Sequence, residues 1–85
     1  MNREDIKIGL RVRTNVSFSG VPSGTEGVLD EQYDSGRGIT VAWDLPGKRL
    51  PPGYREYDGR PAIASGILRD GFNVDTELCF LEVVR

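Results

Sequence analysis

The chain has 85 residues, of which 38% are hydrophobic and 28% are charged, and its formal net charge is −2. This is enough for one small domain, and a chain of this length buries only about 60% of its unfolded surface, so its core is compact or is completed by a partner. With no histidine and a single cysteine, catalytic triads that need an imidazole base, zinc sites built from His and Cys, and internal disulfides are excluded.

Two further features of the composition bear on location and partners. No apolar run approaches the roughly 18–20 residues of a membrane-spanning helix, and the first five residues lack the character of a signal peptide. Secreted domains of this size usually carry disulfides or a metal, so we expect a cytoplasmic, reducing location with no membrane partner and no cofactor. The slightly acidic charge balance disfavours a nucleic-acid partner.

Apolar residues alternate with polar ones in five segments, which predicts five β-strands. In the third segment, Ile39, Val41 and Trp43 share one side, while Thr40 and Asp44 share the other. This period of two is typical of a strand with one buried face. The predicted strands cover residues 10–14, 24–30, 39–44, 67–72 and 80–84.

The connections between these strands are rich in turn-forming residues. Residues 34–38, Asp-Ser-Gly-Arg-Gly, predict a tight hairpin between the second and third strands. Residues 15–23 are expected to form a loop, and residues 73–78 predict one short helical turn before the last strand. Gly27, inside the second strand, indicates a bend or the close approach of another backbone.

Three stretches of the chain resemble the SH3-like barrel superfamily. They are residues 9–13 followed by the Gly-Thr-Glu-Gly-Val turn of residues 24–28, then residues 39–44, and finally residues 77–84, which resemble a 3₁₀ turn feeding the last strand. The resemblance implies an all-β fold, a small five-stranded SH3-like barrel. It would be a single domain over residues 1–85, with a long insertion between strands 3 and 4.

Within that superfamily, residues 19–25 and 41–46 are most similar to small proteins of unknown function carried by mobile elements. Phages, plasmids and integron gene cassettes carry such proteins, so the resemblance implies a mobile-gene origin. It implies no particular activity, because this fold is reused for many functions.

Residues 45–66 form a 22-residue insertion with no periodic pattern that holds four of the five prolines. Compact domains rarely keep structureless loops longer than about 12–15 residues, and those they keep are often functional. The insertion carries tyrosines and arginines, the residue types enriched where proteins bind one another. We therefore expect a non-enzymatic binding module for a protein partner or a small ligand. The candidate binding residues are Trp43, Arg49, Tyr54, Arg55, Tyr57, Arg60 and Phe72.

Several of these residues also have a purely structural interpretation. The tyrosines of the insertion would then fold back over an undersized core. Trp43 alternates with Ile39 and Val41, which predicts burial in the core, and Phe72 is a core candidate too. Cys79 stands between two apolar residues and is expected to be a buried, inert thiol.

The charged residues suggest a solvated surface and one further partner class. Glu26, Asp30 and Glu31 belong to an acidic stretch that predicts a solvated face. Arg11 and Arg13 share one side of the first strand and are expected to pair with acids across the sheet. The same arginines, with those of the insertion, would serve a nucleic-acid-binding accessory protein, against the overall charge.

Two other functional interpretations remain open. In the first, the insertion forms the subunit interface of a structural homo-oligomer, such as a homodimer whose symmetric contact supplies missing core. In the second, the protein is an enzyme, which is disfavoured because no pair of acid and base groups stands out in the sequence.

Overall fold

The computed structural model describes residues 1–18, 20–50 and 67–85. The strands in these ranges are β1 (Arg11–Thr14), β2 (Glu26–Tyr33), β3 (Gly38–Trp43), β4 (Arg69–Asn73) and β5 (Leu81–Val83). Short 3₁₀ turns lie at Arg3–Asp5, Asp34–Gly36 and Leu78–Phe80. None of the described helices is long and apolar enough to cross a membrane.

The strands form one antiparallel sheet in the order β4-β3-β2-β1-β5. Each of the first three strands pairs with the next along the chain, and β5 returns to pair with β1. The predicted all-β class and the five predicted strands are confirmed. Within the described residues the sheet is not closed, because β4 and β5 are its two edges.

One face of the sheet carries the hydrophobic core. Its aromatic centre is a trio in which the ring of Phe18 lies 5.7 Å from that of Phe72 and 6.1 Å from that of Trp43, centroid to centroid. Trp43 is 0% exposed and Phe72 is 3% exposed. The buried residues of this cluster are Val12, Val21, Leu29, Ile39, Val41, Trp43, Leu45, Phe72, Val74, Leu78 and Leu81.

Strand β3 is buried on both faces, whereas its alternation predicts one exposed face. Thr40 is 8% exposed and Ala42 is 0% exposed. Ala42 belongs to a second apolar cluster with Val28, and this cluster is covered by Leu50 and Ile67. Leu50 follows β3 after a turn, and Ile67 is distant from β3 in sequence, so the alternation within β3 does not reveal either residue.

The glycine inside β2 is required by a close approach to β3, as the sequence indicates. A Cβ atom at Gly27 would lie 2.5 Å from the carbonyl oxygen of Ala42 and 2.9 Å from Cε3 of Trp43. Farther along, β2 contains an irregularity between Leu29 and Glu31, where its register against β3 shifts. Such a bulge bends a strand and adds twist.

Two more expectations about exposure, besides that for Thr40, are wrong. Cys79 is exposed rather than buried, because it lies in a 3₁₀ turn, in which residues three apart share a side. Leu78 and Leu81 therefore point to the core together, and Cys79 points away. Asp30 is not part of a solvated acidic face, since it is 5% exposed and pairs with Arg69.

Candidate functional site

An open groove of about 500 Å³ lies between the turn that precedes β2 and the turn that follows β3. The described residues that line it are Arg11, Pro22, Ser23, Gly24, Thr25, Glu26, Asp44, Leu45, Pro46 and Arg49. Ligand sites are usually concave, with a small number of placed polar groups. The groove is therefore the starting point for locating a function.

The first wall of the groove is a turn held by the backbone of residues 22–25. The N–H of Thr25 donates to the carbonyl of Pro22 at 3.1 Å, and its hydroxyl donates to the same oxygen at 2.7 Å. Gly24 has φ of 91°, a left-handed conformation that favours glycine. Its N–H donates to the carbonyl of Thr14 at 2.8 Å, which ties the wall to β1.

The second wall is the turn of residues 45–48 after β3. The N–H of Lys48 donates to the carbonyl of Leu45 at 2.9 Å, and Gly47 has φ of 77°. The buried side chain of Leu45 anchors this turn in the core. The N–H of Asp44 donates to the carbonyl of Glu26 at 2.8 Å, so the two walls meet at the base of the groove.

Charged side chains of both signs line the groove, and Arg13 joins their network from β1. Arg11 lies between the two acids: its Nε is 3.0 Å from Oε1 of Glu26, and its Nη2 is 3.0 Å from Oδ2 of Asp44. Nη2 of Arg13 is 3.3 Å from Oε2 of Glu26, and Nη1 of Arg49 is 3.5 Å from Oδ2 of Asp44. Three arginines thus share two carboxylates.

The expected pairing of Arg11 and Arg13 with acids across the sheet is confirmed at Glu26. Register explains it, because Arg13 lies directly opposite Glu26 in the β1–β2 ladder. Opposite charges on facing positions of neighbouring strands attract one another. The pairing of Arg11 with Asp44 comes from a residue beyond the end of β3, and sequence alternation gives no signal for it.

The arginines keep both carboxyl groups ionised. Hydrogen bonds from Arg11 and then Arg13 lower the pKa of Glu26. Burial acts to raise the pKa of Asp44, but hydrogen bonds from Arg11 and from the N–H of Leu50 outweigh it, and the net direction is down. Hydrogen bonds to Asp44 and Glu26 raise the pKa of Arg11. Near neutral pH these groups act as fixed charges rather than as proton donors.

The structure places the predicted site residues in three different surroundings. Arg49 lies on the rim of the groove with its side chain 68% exposed. Trp43 and Phe72 lie in the core on the other face of the sheet, and the Trp43 indole N–H donates to Oδ2 of Asp70 at 2.7 Å. The remaining predicted residues, Tyr54, Arg55, Tyr57 and Arg60, lie outside the described residues.

The two residues that flank residues 51–66 lie on the same face of the sheet as the groove. Leu50 and Ile67 both pack on Val28 and Ala42, whose side chains alternate with those that enter the core. Arg11 is the direct partner of Val28 in the β1–β2 ladder, so it shares this face. Leu50 and Ile67 therefore lie on the face of the sheet that bears the groove, opposite the Trp43 side chain.

Neither a metal-binding cluster among the described residues nor a known relative indicates a chemistry for the groove. In residues 1–18, 20–50 and 67–85 there is no group of three or more His, Cys, Asp or Glu side chains that is arranged to hold a metal ion. No protein-family model, no curated protein and no solved structure matches the chain.

Proposed function

We propose that this protein is a non-enzymatic binding module, in which the groove and the insertion of residues 45–66 form one contact surface. The observation that carries the proposal is the position of Leu50 and Ile67. Both pack on the sheet face that bears the groove, so a ligand in the groove lies on the same face as the two residues that flank residues 51–66. The occupant is a protein partner or a small ligand.

The composition of the insertion supports a recognition role. Tyr54 and Tyr57 offer large contact area at a low entropic cost, and Arg55 and Arg60 offer planar, multiply donating groups. Arg49 belongs to the insertion and to the rim of the groove at once, which joins the two parts of the proposed surface.

The chemistry of the groove supports binding rather than catalysis. Its described acids, Glu26 and Asp44, are ion-paired with arginines and have lowered pKa values. General acid–base catalysis near neutral pH needs a group whose pKa lies near the working pH. The lining instead offers exposed donors and two proline side chains, which are suited to reversible contact.

We also propose that the sheet is an SH3-like barrel of the kind that the sequence resembles. Three features support this: the five-strand order, the bulge that lets the eight-residue β2 curve, and the 3₁₀ turn at Leu78–Phe80 before β5. Strong bending of this kind is how small all-β domains limit exposed strand edges.

Site-specific photo-crosslinking tests the binding function. A photoreactive amino acid replaces Ser23, which is exposed and lines the groove. The matched control replaces Thr76, which is exposed outside the groove lining. Crosslinking in cells of the natural host, followed by mass spectrometry, is expected to recover a partner from position 23 and not from position 76. Equal recovery from both positions, or from neither, would contradict the proposal.

The double substitution Tyr54→Ala with Tyr57→Ala tests the contribution of the insertion. We expect it to abolish crosslinking from position 23 while the melting temperature and far-ultraviolet circular dichroism stay unchanged. Loss of the fold would show that the tyrosines cover the core instead. If position 23 crosslinks to a second copy of the chain, the homo-oligomer is the correct interpretation, and light scattering over a concentration series would show a dimer.

A further inference from the structure

We infer that the groove receives a carboxylate of an acidic peptide segment and that Arg49 is the residue that binds it. This inference rests on the proposed binding function and specifies its ligand class. The geometry points to it because three arginines share the carboxylates of Glu26 and Asp44, and Arg49, which lines the groove, is the arginine held most weakly.

Arg49 has the weakest attachment in the charged network. Its Nη1 lies 3.5 Å from Oδ2 of Asp44, whereas Nη2 of Arg11 lies 3.0 Å from the same oxygen. A separation of 3.5 Å is beyond the usual range of a good N–H···O hydrogen bond. The Arg49 side chain is also 68% exposed, and exposed ion pairs contribute little to stability. Arg49 can therefore move to another anion at small cost.

Asp44 stays satisfied when Arg49 leaves it. Its Oδ2 keeps the hydrogen bond from Arg11, and its Oδ1 keeps the hydrogen bond from the N–H of Leu50 at 3.2 Å. A carboxylate that is buried or half-buried is costly when it loses its partners. Asp44 keeps its partners, so the movement of Arg49 does not incur this cost. Arg49 offers a planar fork of N–H groups that matches the two oxygens of a carboxylate.

The surroundings of Arg49 favour a peptide over a nucleic acid. Polyphosphate binding needs several cations that neutralise neighbouring phosphates. Here Glu26 and Asp44 line the same groove, and the chain carries a net charge of −2, so a second phosphate beside the first meets repulsion. Pro22 and Pro46 lie on opposite walls and offer apolar contact to the residues on each side of a single carboxylate.

Nuclear magnetic resonance titration with matched peptides tests this inference. The probes are the amidated, N-acetylated hexapeptide Gly-Pro-Leu-Glu-Leu-Gly, its counterpart with Gln in place of Glu, and a short oligothymidine. We expect the Glu peptide to shift the amide signals of Ser23, Gly24 and Arg49. It should bind about tenfold more tightly than the Gln peptide, as the loss of one charge-assisted pair predicts.

Variants of Arg49 connect the effect to that side chain. Arg49→Gln should weaken binding of the Glu peptide about tenfold and leave binding of the Gln peptide unchanged. Arg49→Lys should give an intermediate affinity, because it keeps the charge and loses the planar fork. Arg37→Gln, an exposed position outside the groove lining, is the matched control and should change nothing.

Three results would overturn the inference. Equal affinity of the Glu and Gln peptides for the groove would show that the groove does not recognise a carboxylate, and it would not contradict the proposed binding function. If oligothymidine shifts the same amide signals and binds more tightly than the Glu peptide, the ligand of the groove is a nucleic acid. Absence of groove shifts with either peptide, while crosslinking from position 23 still recovers a partner, would show that the partner presents other chemistry. Failure of that crosslinking is the separate result that removes the binding function itself.

Discussion

The guanidinium of Arg69 reaches across β3 to the buried carboxylate of Asp30, with its Nε 2.8 Å from Oδ2. The Asp30 side chain is 4% exposed and that of Arg69 is 27% exposed. The irregularity in β2 between Leu29 and Glu31 lets Asp30 and Glu31 both meet this one arginine, since Nη2 of Arg69 also lies 3.3 Å from Oε1 of Glu31. Together these groups help to cover the second face of β3.

We expect Arg69→Met to lower the free energy of unfolding by about 3 kcal/mol, because it removes the cation that pairs with the buried Asp30 carboxylate. Arg3→Met is the matched control, since Arg3 pairs with Asp75 on the surface, where both side chains are more than half exposed. That control should cost less than about 1 kcal/mol. Urea unfolding monitored by Trp43 fluorescence measures the free energy of unfolding of both variants. An equal loss in the two variants would show that the Arg69–Asp30 pair stabilises the fold no more than a surface ion pair does.

Substitutions at two strand glycines should differ in cost according to what the new methyl group meets. At Gly27 a Cβ atom would lie 2.5 Å from the carbonyl oxygen of Ala42, which is backbone inside the sheet and has nowhere to move. At Gly38 it would meet the outer end of the Tyr33 ring, 2.8 Å from Cε1 and nearer still to Cζ. That ring is on a residue 45% exposed, so it can swing into solvent.

We therefore expect Gly27→Ala to destabilise the protein by about 3 kcal/mol or more, and Gly38→Ala by about 1 kcal/mol. The double variant Tyr33→Ala with Gly38→Ala should cost less than the sum of its two single variants, because the clash at Gly38 is gone. Thermal and urea unfolding provide the values. Strict additivity of the two single costs would contradict the contact between Tyr33 and Gly38.

The groove carboxylates should make stability fall in acid. Because the pKa of Asp44 is lowered in the folded state from its ordinary 3.8, the unfolded chain takes up a proton first as pH falls. The stabilisation is therefore complete above the ordinary pKa and is lost as pH drops through the lower, folded value. The lowered pKa of Glu26 acts in the same direction.

We expect Asp44→Asn to flatten the dependence of the urea midpoint on pH in the range of about 5 to 2. Glu26→Gln should also flatten it, and the two together should flatten it further. The measurement is a series of urea unfolding curves at constant ionic strength. An unchanged slope in Asp44→Asn would show that the arginines do not hold this carboxyl group as described.

The exposed thiol gives a direct check on the 3₁₀ turn. Cys79 is exposed, so a thiol reagent such as Ellman's reagent should titrate one thiol in the native protein, at a rate within about tenfold of that in urea. Cys79→Ser should abolish the reaction and leave the melting temperature unchanged. Protection of the thiol until the protein unfolds would contradict the exposed position and would support the burial that the sequence predicts.

Much of the fold follows from local pattern. The alternation of Ile39, Val41 and Trp43 is a property of consecutive residues, so it locates β3 and its core-facing side without knowledge of any partner. The hairpin of residues 34–38 and the close approach at Gly27 are predictable for the same reason, since turn chemistry and glycine placement act within a few residues.

The candidate site depended on contacts between distant residues. Sequence singled out Arg49, but it gave no signal that Asp44, Arg11 and the turn of residues 22–25 would form a groove beside it. It also did not show that the second face of β3 is covered, so the prediction that Thr40 is exposed is wrong. The pairing of strands and the turns between them bring these groups together, and no short stretch of sequence specifies which strands pair or in what register.

The sequence by itself determined where strands and turns lie and which side of each strand is apolar, because backbone period and side-chain polarity are local. Tertiary structure alone decided that Cys79 is exposed, that Asp30 is buried against Arg69, and that Leu50 and Ile67 both pack on the groove face of the sheet. These outcomes depend on which distant surfaces come into contact, and burial is a property of that contact rather than of the residue.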